Sequence, residues 1–156
     1  MNTAIDSEKI IILDFGSQYT QLIARRIREL GVFSEILSSN TSYENILKAN
    51  PKGIVISGGP ESVNAKNTLK IDHKILNSEI PVLGICYGMQ LMAKHFEGSV
   101  NVSKKREFGH AEIKLMKSKL FDVVKTSKLK VWMSHGDKVT KLPKGFKKIA
   151  SSKNSP

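Results

Sequence analysis

The stretch Gly84-Ile85-Cys86-Tyr87-Gly88 holds the single cysteine of the sequence between two glycines. It has the G-x-S-x-G pattern of a nucleophile elbow, with sulfur in place of oxygen. A sharp strand-to-helix turn forces its central residue into strained backbone geometry, and flanking glycines remove the Cβ atoms that would collide across it. The side chain is then presented at the carboxyl edge of a sheet. A thiol at a helix N-terminus is expected to titrate low, because free N–H groups and the helix dipole favour thiolate. One cysteine can form neither an internal disulfide nor a cysteine metal cluster, so Cys86 is a buried filler or a reactive group, and its setting favours the second.

A second glycine-rich turn, Ser57-Gly58-Gly59-Pro60, can aim backbone N–H groups. Acyl transfer through a thioester builds negative charge on a carbonyl oxygen, and two donors about 3 Å away stabilise it. The backbone amides of Gly59 and Tyr87 are the expected pair. Such a thiol also needs a base, usually a histidine held by a carboxylate or amide. Of the four histidines, His73 and His95 fall on helical stretches beside charged residues and read as surface groups. His110 and His135 are expected in turns at strand ends, where structural or substrate-positioning roles outweigh catalysis.

These residues need a scaffold, and the apolar pattern supplies one. Lys9 to Asp14 is a short, β-branched run suited to a parallel strand buried on both faces. A helix follows from Gln18, with Leu22, Ile23, Ile27 and Leu30 at helical spacing, Ser17 as its N-cap and Gly31 as its stop. The alternation continues with a strand at Val32 to Leu37, a helix at Tyr43 to Ala49 and a strand at Gly53 to Ser57. A weaker helix at Leu69 to Leu76, a strand at Pro81 to Ile85 and a helix at Gly88 to Phe96, stopped by Gly98, complete it. This predicts an α/β fold with an open, mostly parallel sheet flanked by helices. Beyond Gly98 the sequence turns β-rich, with strands at Val100 to Val102, Ala111 to Leu115, Lys130 to Met133 and Phe146 to Ala150.

Composition narrows the classes. A length of 156 residues fits one domain, 40% hydrophobic and 25% charged residues are ordinary for a packed globule, and no apolar run approaches the ~20 residues of a spanning helix. The first residues show no signal-peptide pattern, so a soluble, cytoplasmic protein without membrane partners is expected. The net charge of +11 sits wholly in residues 101 to 156, where 15 Lys and Arg stand against 4 Asp and Glu. Of all 25 cations 21 are Lys, and aromatics make up 6%, which favours solvated lysines or a face for an acidic partner over nucleic acid.

Together the motifs Asp14-Phe15-Gly16-Ser17-Gln18-Tyr19, Ser57-Gly58-Gly59-Pro60-Glu61-Ser62-Val63, Gly84-Ile85-Cys86-Tyr87-Gly88-Met89-Gln90, Phe108-Gly109-His110-Ala111-Glu112 and Trp132-Met133-Ser134-His135-Gly136-Asp137-Lys138-Val139 resemble the class I glutamine amidotransferases, in their GMP synthase branch. The resemblance implies a flavodoxin-like fold in which Cys86 attacks the side-chain amide of glutamine, releasing ammonia and leaving a thioester that water hydrolyses. It implies that Gly58, Gln90, Ser134, His135, Gly136 and Asp137 help hold the glutamine. It implies no cofactor for this chain, with ATP and Mg belonging to a separate ATP-pyrophosphatase domain that aminates XMP to GMP, and it leaves open a homodimer formed outside residues 1–156. The family carries its catalytic His and Glu in a later His-Pro-Glu motif that is not among these residues. The chain is therefore expected to be one amidotransferase domain, incomplete at its C-terminus and poorly active alone. The competing readings are an amidotransferase of another pathway, such as carbamoyl phosphate or anthranilate synthesis, and a catalytically silent docking or regulatory module.

Overall fold

The structure, a computed structural model, describes residues 8–66 and 68–155, with the side chains of residues 103–107 and 135 outside that description. It divides into two compact units, Met1–Met92 and Ala93–Pro156.

The first unit carries the strands β1 (Lys9–Asp14), β2 (Phe33–Ser38), β3 (Gly53–Ile56) and β4 (Val82–Gly84). Helices α1 (Thr20–Glu29), α2 (Tyr43–Lys48) and the single turn α3 (His73–Leu76) connect them, and α4 (Tyr87–His95) follows β4. All pairings are parallel and the order is β2-β1-β3-β4. The central strands are apolar because they are covered on both faces: Ile11, Ile12, Leu13 and Ile56 are fully buried. Each such side chain contributes roughly 1.5–3 kcal/mol by leaving water. One face is covered by α1, whose Ala24, Ile23 and Ile27 pack with Ile10, Ile12, Ile36, Val55 and Ile85. At the edge the cover thins, and Leu83 on β4, with Leu22 and Leu30 beside the same apolar groove, stays exposed.

The expected elements appear with local revisions. Ser17 does not cap α1: its hydroxyl accepts from the Tyr19 amide at 3.1 Å and its carbonyl from Thr20 at 3.2 Å, so it forms the turn that leads into the helix. Gly31 ends α1 as expected, at φ +80° with its amide on the Arg28 carbonyl. The helix expected over Leu69 to Leu76 shrinks to its last turn because Asp72 takes the N-cap, its side chain accepting from the Lys74 amide.

In the second unit β5 (Ser99–Leu115) and β6 (Lys128–Lys141) form a long antiparallel pair, and β7 (Ala150–Ser151) adds to β5. The expected short strands are thus segments of longer ones. His110 and His135 lie inside this ladder rather than in turns, opposite Trp132 and Glu107. Cross-strand pairing overrides the turn preference of Gly, Ser and Asp, and the misfit is absorbed by a register shift between Val102 and Glu107 and by Gly109 at φ +100°. At the end of α4 the left-handed residue is Glu97, at φ +66°. Gly98 is needed for space, since a Cβ there would lie 2.7 Å from the Lys141 carbonyl oxygen. The strand expected over Phe146 to Ala150 begins only at Ala150.

Asp72 ties two helices together: Oδ2 accepts from the Tyr43 amide opening α2 at 2.9 Å, and Oδ1 from the Lys74 amide at 3.0 Å. These bonds hold its carboxyl below the usual carboxylate range, those from Tyr43 and Lys74 acting in that order. A depressed folded-state pKa stabilises the fold above the unfolded value of about 4 and ceases to do so as pH falls through the folded value. Asp72→Ala is expected to lower the urea midpoint at neutral pH, and the gap from wild type should close in acid. A gap independent of pH would contradict this.

Candidate active site

The topology decides where a site can form. β1 pairs with β2 on one side and β3 on the other, so the chain runs opposite ways from neighbouring strands, and the loops beyond their carboxyl ends flank a crevice. The β1 loop carries Phe15, Gly16 and Ser17, the β3 loop Ser57, Gly58 and Gly59, and the turn after β4 carries Cys86.

Cys86 has φ +49°, a left-handed conformation that costs a non-glycine residue energy and persists only where its surroundings impose it. The surroundings are backbone. A Cβ on Gly88 would collide with the carbonyl oxygen of Ile56 and lie 2.8 Å from its Cβ, while one on Gly84 would lie 2.6 Å from the carbonyl carbon of Gly88. The Ile85 amide donates to the Ile56 carbonyl at 2.9 Å and the Gly88 amide to the Ile85 carbonyl at 2.9 Å, fastening the turn to the end of β3. Tyr87 opens α4, where helix geometry leaves the first amides without an intrahelical acceptor. The Gln90 amide donates to the Cys86 carbonyl at 3.1 Å, and its side chain is buried.

The glycine loop lies against this turn. The Cβ position of Gly58 is 3.5 Å from Cys86 Cβ and 3.5 Å from Ser17 Oγ, and that of Gly59 is 3.5 Å from the Tyr87 ring. Glycine is required at position 59 because a Cβ would stand 2.7 Å from the Phe15 carbonyl oxygen. The Tyr87 ring is buried, stacks at 5.4 Å on fully buried Phe15, and its hydroxyl donates to the Leu69 carbonyl at 3.2 Å. Burial pushes the Cys86 thiol up from its ordinary value, against the lowering expected from the helix N-terminus. Desolvation of the thiolate is the cause.

Gly58, Gly59, Cys86, Tyr87 and Gln90 thus come together in the first unit. Ser134, His135, Gly136 and Asp137 sit consecutively on β6 of the second, with Ser134 opposite Phe108 and Asp137 buried opposite Val102. His110 stacks edge-on against Trp132 at 4.9 Å. Two positions along the same strand, Glu112 pairs with Lys128 at 2.7 Å, so this His-x-Glu triplet is engaged with neighbours on β6. His73 is exposed, as expected of a surface group. The sequence reading missed Ser57: its hydroxyl is fully buried, accepts from the Phe15 amide at 2.9 Å and donates to the Gly58 carbonyl at 2.9 Å. A serine directly after a continuously apolar strand was the available signal.

An open parallel sheet that presents a strained cysteine on a strand-to-helix turn, beside a glycine loop at its carboxyl edge, defines an α/β protein of the nucleophile-elbow class. The glutamine amidotransferase class-I family model matches residues 11–156, and the chain belongs to that family. It is 54% identical over 153 residues to the GMP synthase [glutamine-hydrolyzing] of Pelodictyon phaeoclathratiforme, covering 95% of this chain and 29% of that protein. It is 52% identical over 151 residues to that of Pediococcus pentosaceus, again 29% of the relative. The chain therefore spans under a third of the length of the curated relatives it matches. Among solved structures, a Thermoplasma acidophilum protein described provisionally as part of a GMP synthase is 31% identical, with a TM-score of 0.78 over 95% of this chain and 74% of that one. A Thermotoga maritima glutamine amidotransferase, 22% identical, shares the fold at a TM-score of 0.76, covering 95% of this chain and 68% of that one.

Two outcomes follow. Gly88→Ala should cost about 1–3 kcal/mol, because β3 backbone cannot yield as a flexible side chain would; a urea midpoint unchanged from wild type would refute the packing argument. Alkylation of Cys86 by iodoacetamide should still accelerate above the ordinary thiol range, and a rate already level at neutral pH would show a thiolate that burial does not suppress.

Proposed function

We propose that the first unit carries the glutamine-hydrolysing centre of a GMP synthase. Cys86 Sγ attacks the side-chain amide carbon of glutamine and passes its proton to a base. The tetrahedral oxyanion collapses, ammonia leaves, and a γ-glutamyl thioester remains for water to cleave to glutamate and free thiol. The amides of Gly59 and Tyr87 receive the oxyanion, and Gly58 and Gln90 hold the amino-acid end of the substrate. The observation that carries this reading is the left-handed Cys86, wedged between Gly84 and Gly88 and lying against the Gly58-Gly59 loop. The high resting pKa suits it, since a thiol activated only by a base would spare a reactive thiolate between turnovers.

In this proposal the ammonia aminates XMP to GMP in an ATP-pyrophosphatase region of the larger protein, which holds ATP and Mg and lies outside residues 1–156. The base and its orienting carboxylate come from a His-Pro-Glu motif in a later segment of the amidotransferase domain itself, and without that segment the chain turns over poorly. The setting is the cytoplasm. The lysine-rich second unit offers a positive face to an acidic partner surface, worth encounter rate more than affinity.

In the complete polypeptide, Cys86→Ala should reduce glutamate release from glutamine by about 10³-fold or more while leaving ammonia-dependent GMP formation near wild type. Loss of both activities, or of neither, would overturn the assignment. The 156-residue chain, assayed beside it, should release little glutamate; turnover that vanishes in its own Cys86→Ala variant would instead place a base within these residues.

A further inference from the structure

We infer that Ser57 is a positioning residue that locks the Gly58–Gly59 peptide with its N–H facing the reaction, an inference that rests on the glutaminase reading of the Cys86 site. The Ser57 hydroxyl is fully buried and has two partners on different segments. It accepts from the Phe15 amide at 2.9 Å and donates to the Gly58 carbonyl oxygen at 2.9 Å. Because the Phe15 N–H occupies an acceptor position, the hydroxyl proton is directed to the carbonyl. The Ser57 backbone is itself held, its amide donating to the Leu13 carbonyl at 3.1 Å.

A trans peptide points its C=O and N–H in opposite directions. Holding the Gly58 carbonyl on the Ser57 side therefore turns the Gly59 N–H to the other side. The lock is needed because glycines flank this peptide bond, and such a unit can rotate at little cost. A reversed peptide would offer a carbonyl oxygen where the oxyanion needs a donor, turning attraction into repulsion. Phe15 contributes at both ends: its amide orients Ser57, and its carbonyl oxygen stands so close that only glycine fits at 59. The β1 and β3 loops are thereby joined into one support for a single N–H.

The test is steady-state glutamine hydrolysis by the complete polypeptide. Ser57→Ala should lower kcat by about 10- to 10²-fold, up to the loss seen on removing one oxyanion donor, and leave KM within about twofold. The rate of Cys86 alkylation by iodoacetamide, which forms no oxyanion, should stay within about twofold of wild type. An unchanged kcat, or a fall in kcat matched by an altered alkylation rate, would overturn the inference, the second by showing that the turn itself had moved. Should Ser57→Ala not fold, Ser57→Thr, which keeps the hydroxyl, should retain kcat while Ser57→Cys, a weak donor of similar size, loses it; the reverse order would overturn it. A wild-type polypeptide that releases no glutamate would overturn the reading of the site as a whole, and so is distinct from wild-type turnover that is indifferent to Ser57.

Discussion

Backbone-to-backbone contact between the 84–88 turn and the end of β3 is the constraint from which the site follows. Gly88 lies against the Ile56 carbonyl and Gly84 against Gly88, at distances that admit no side chain at either position. With both glycines committed, the residue between them has to absorb the reversal from strand to helix, and Cys86 does so in the left-handed region. The same Ile56 carbonyl accepts the Ile85 amide, so β3 sets both where the turn sits and how it is oriented. The loop that continues from β3 then arrives beside the sulfur with no further adjustment, because Ser57 and Gly58 are the next residues along.

Much of this was legible in the sequence for reasons that can be named. β1 and β3 are uninterrupted apolar runs because both their faces are covered, and no other local pattern competes with that one. The elbow was legible because its glycines answer to contacts within five residues and one adjacent strand. Ser57 was not, since a serine after a strand reads as a turn residue, and only the distant Phe15 amide, 42 positions away, shows what its hydroxyl does. The thiol's titration was misjudged for a related reason: the start of a helix is visible in sequence, whereas the burial of a side chain depends on everything packed around it.

The second unit shows the opposite balance. Ser134, Gly136 and Asp137 carry strong turn preferences, as do Gly109 and Ser103, yet the chain runs through all of them in two long paired strands. Ser134, Asp137 and Gly109 have ladder partners 24 or more residues distant, and antiparallel pairing over that span outweighs local preference, while Gly136 and Ser103 fall in the register shift. The bends that those residues favour survive only as an irregular register and one left-handed glycine.

β4 supplies the residues leading into the elbow, and among the described residues it is three residues long and paired with β3. Protection of amides against solvent exchange rises with the number of contacts that must break together, so this three-residue strand opens more cheaply than six-residue β1, which is paired along both sides. The cysteine thus follows a three-residue strand, while the glycine loop beside it springs from β3, which is paired along both sides. Because the Ile85 amide and the Gly88 backbone are fastened to Ile56 at the end of β3, the sulfur stays with β3 when the short strand loosens, and its spacing from the loop is set by the hub strand rather than by β4.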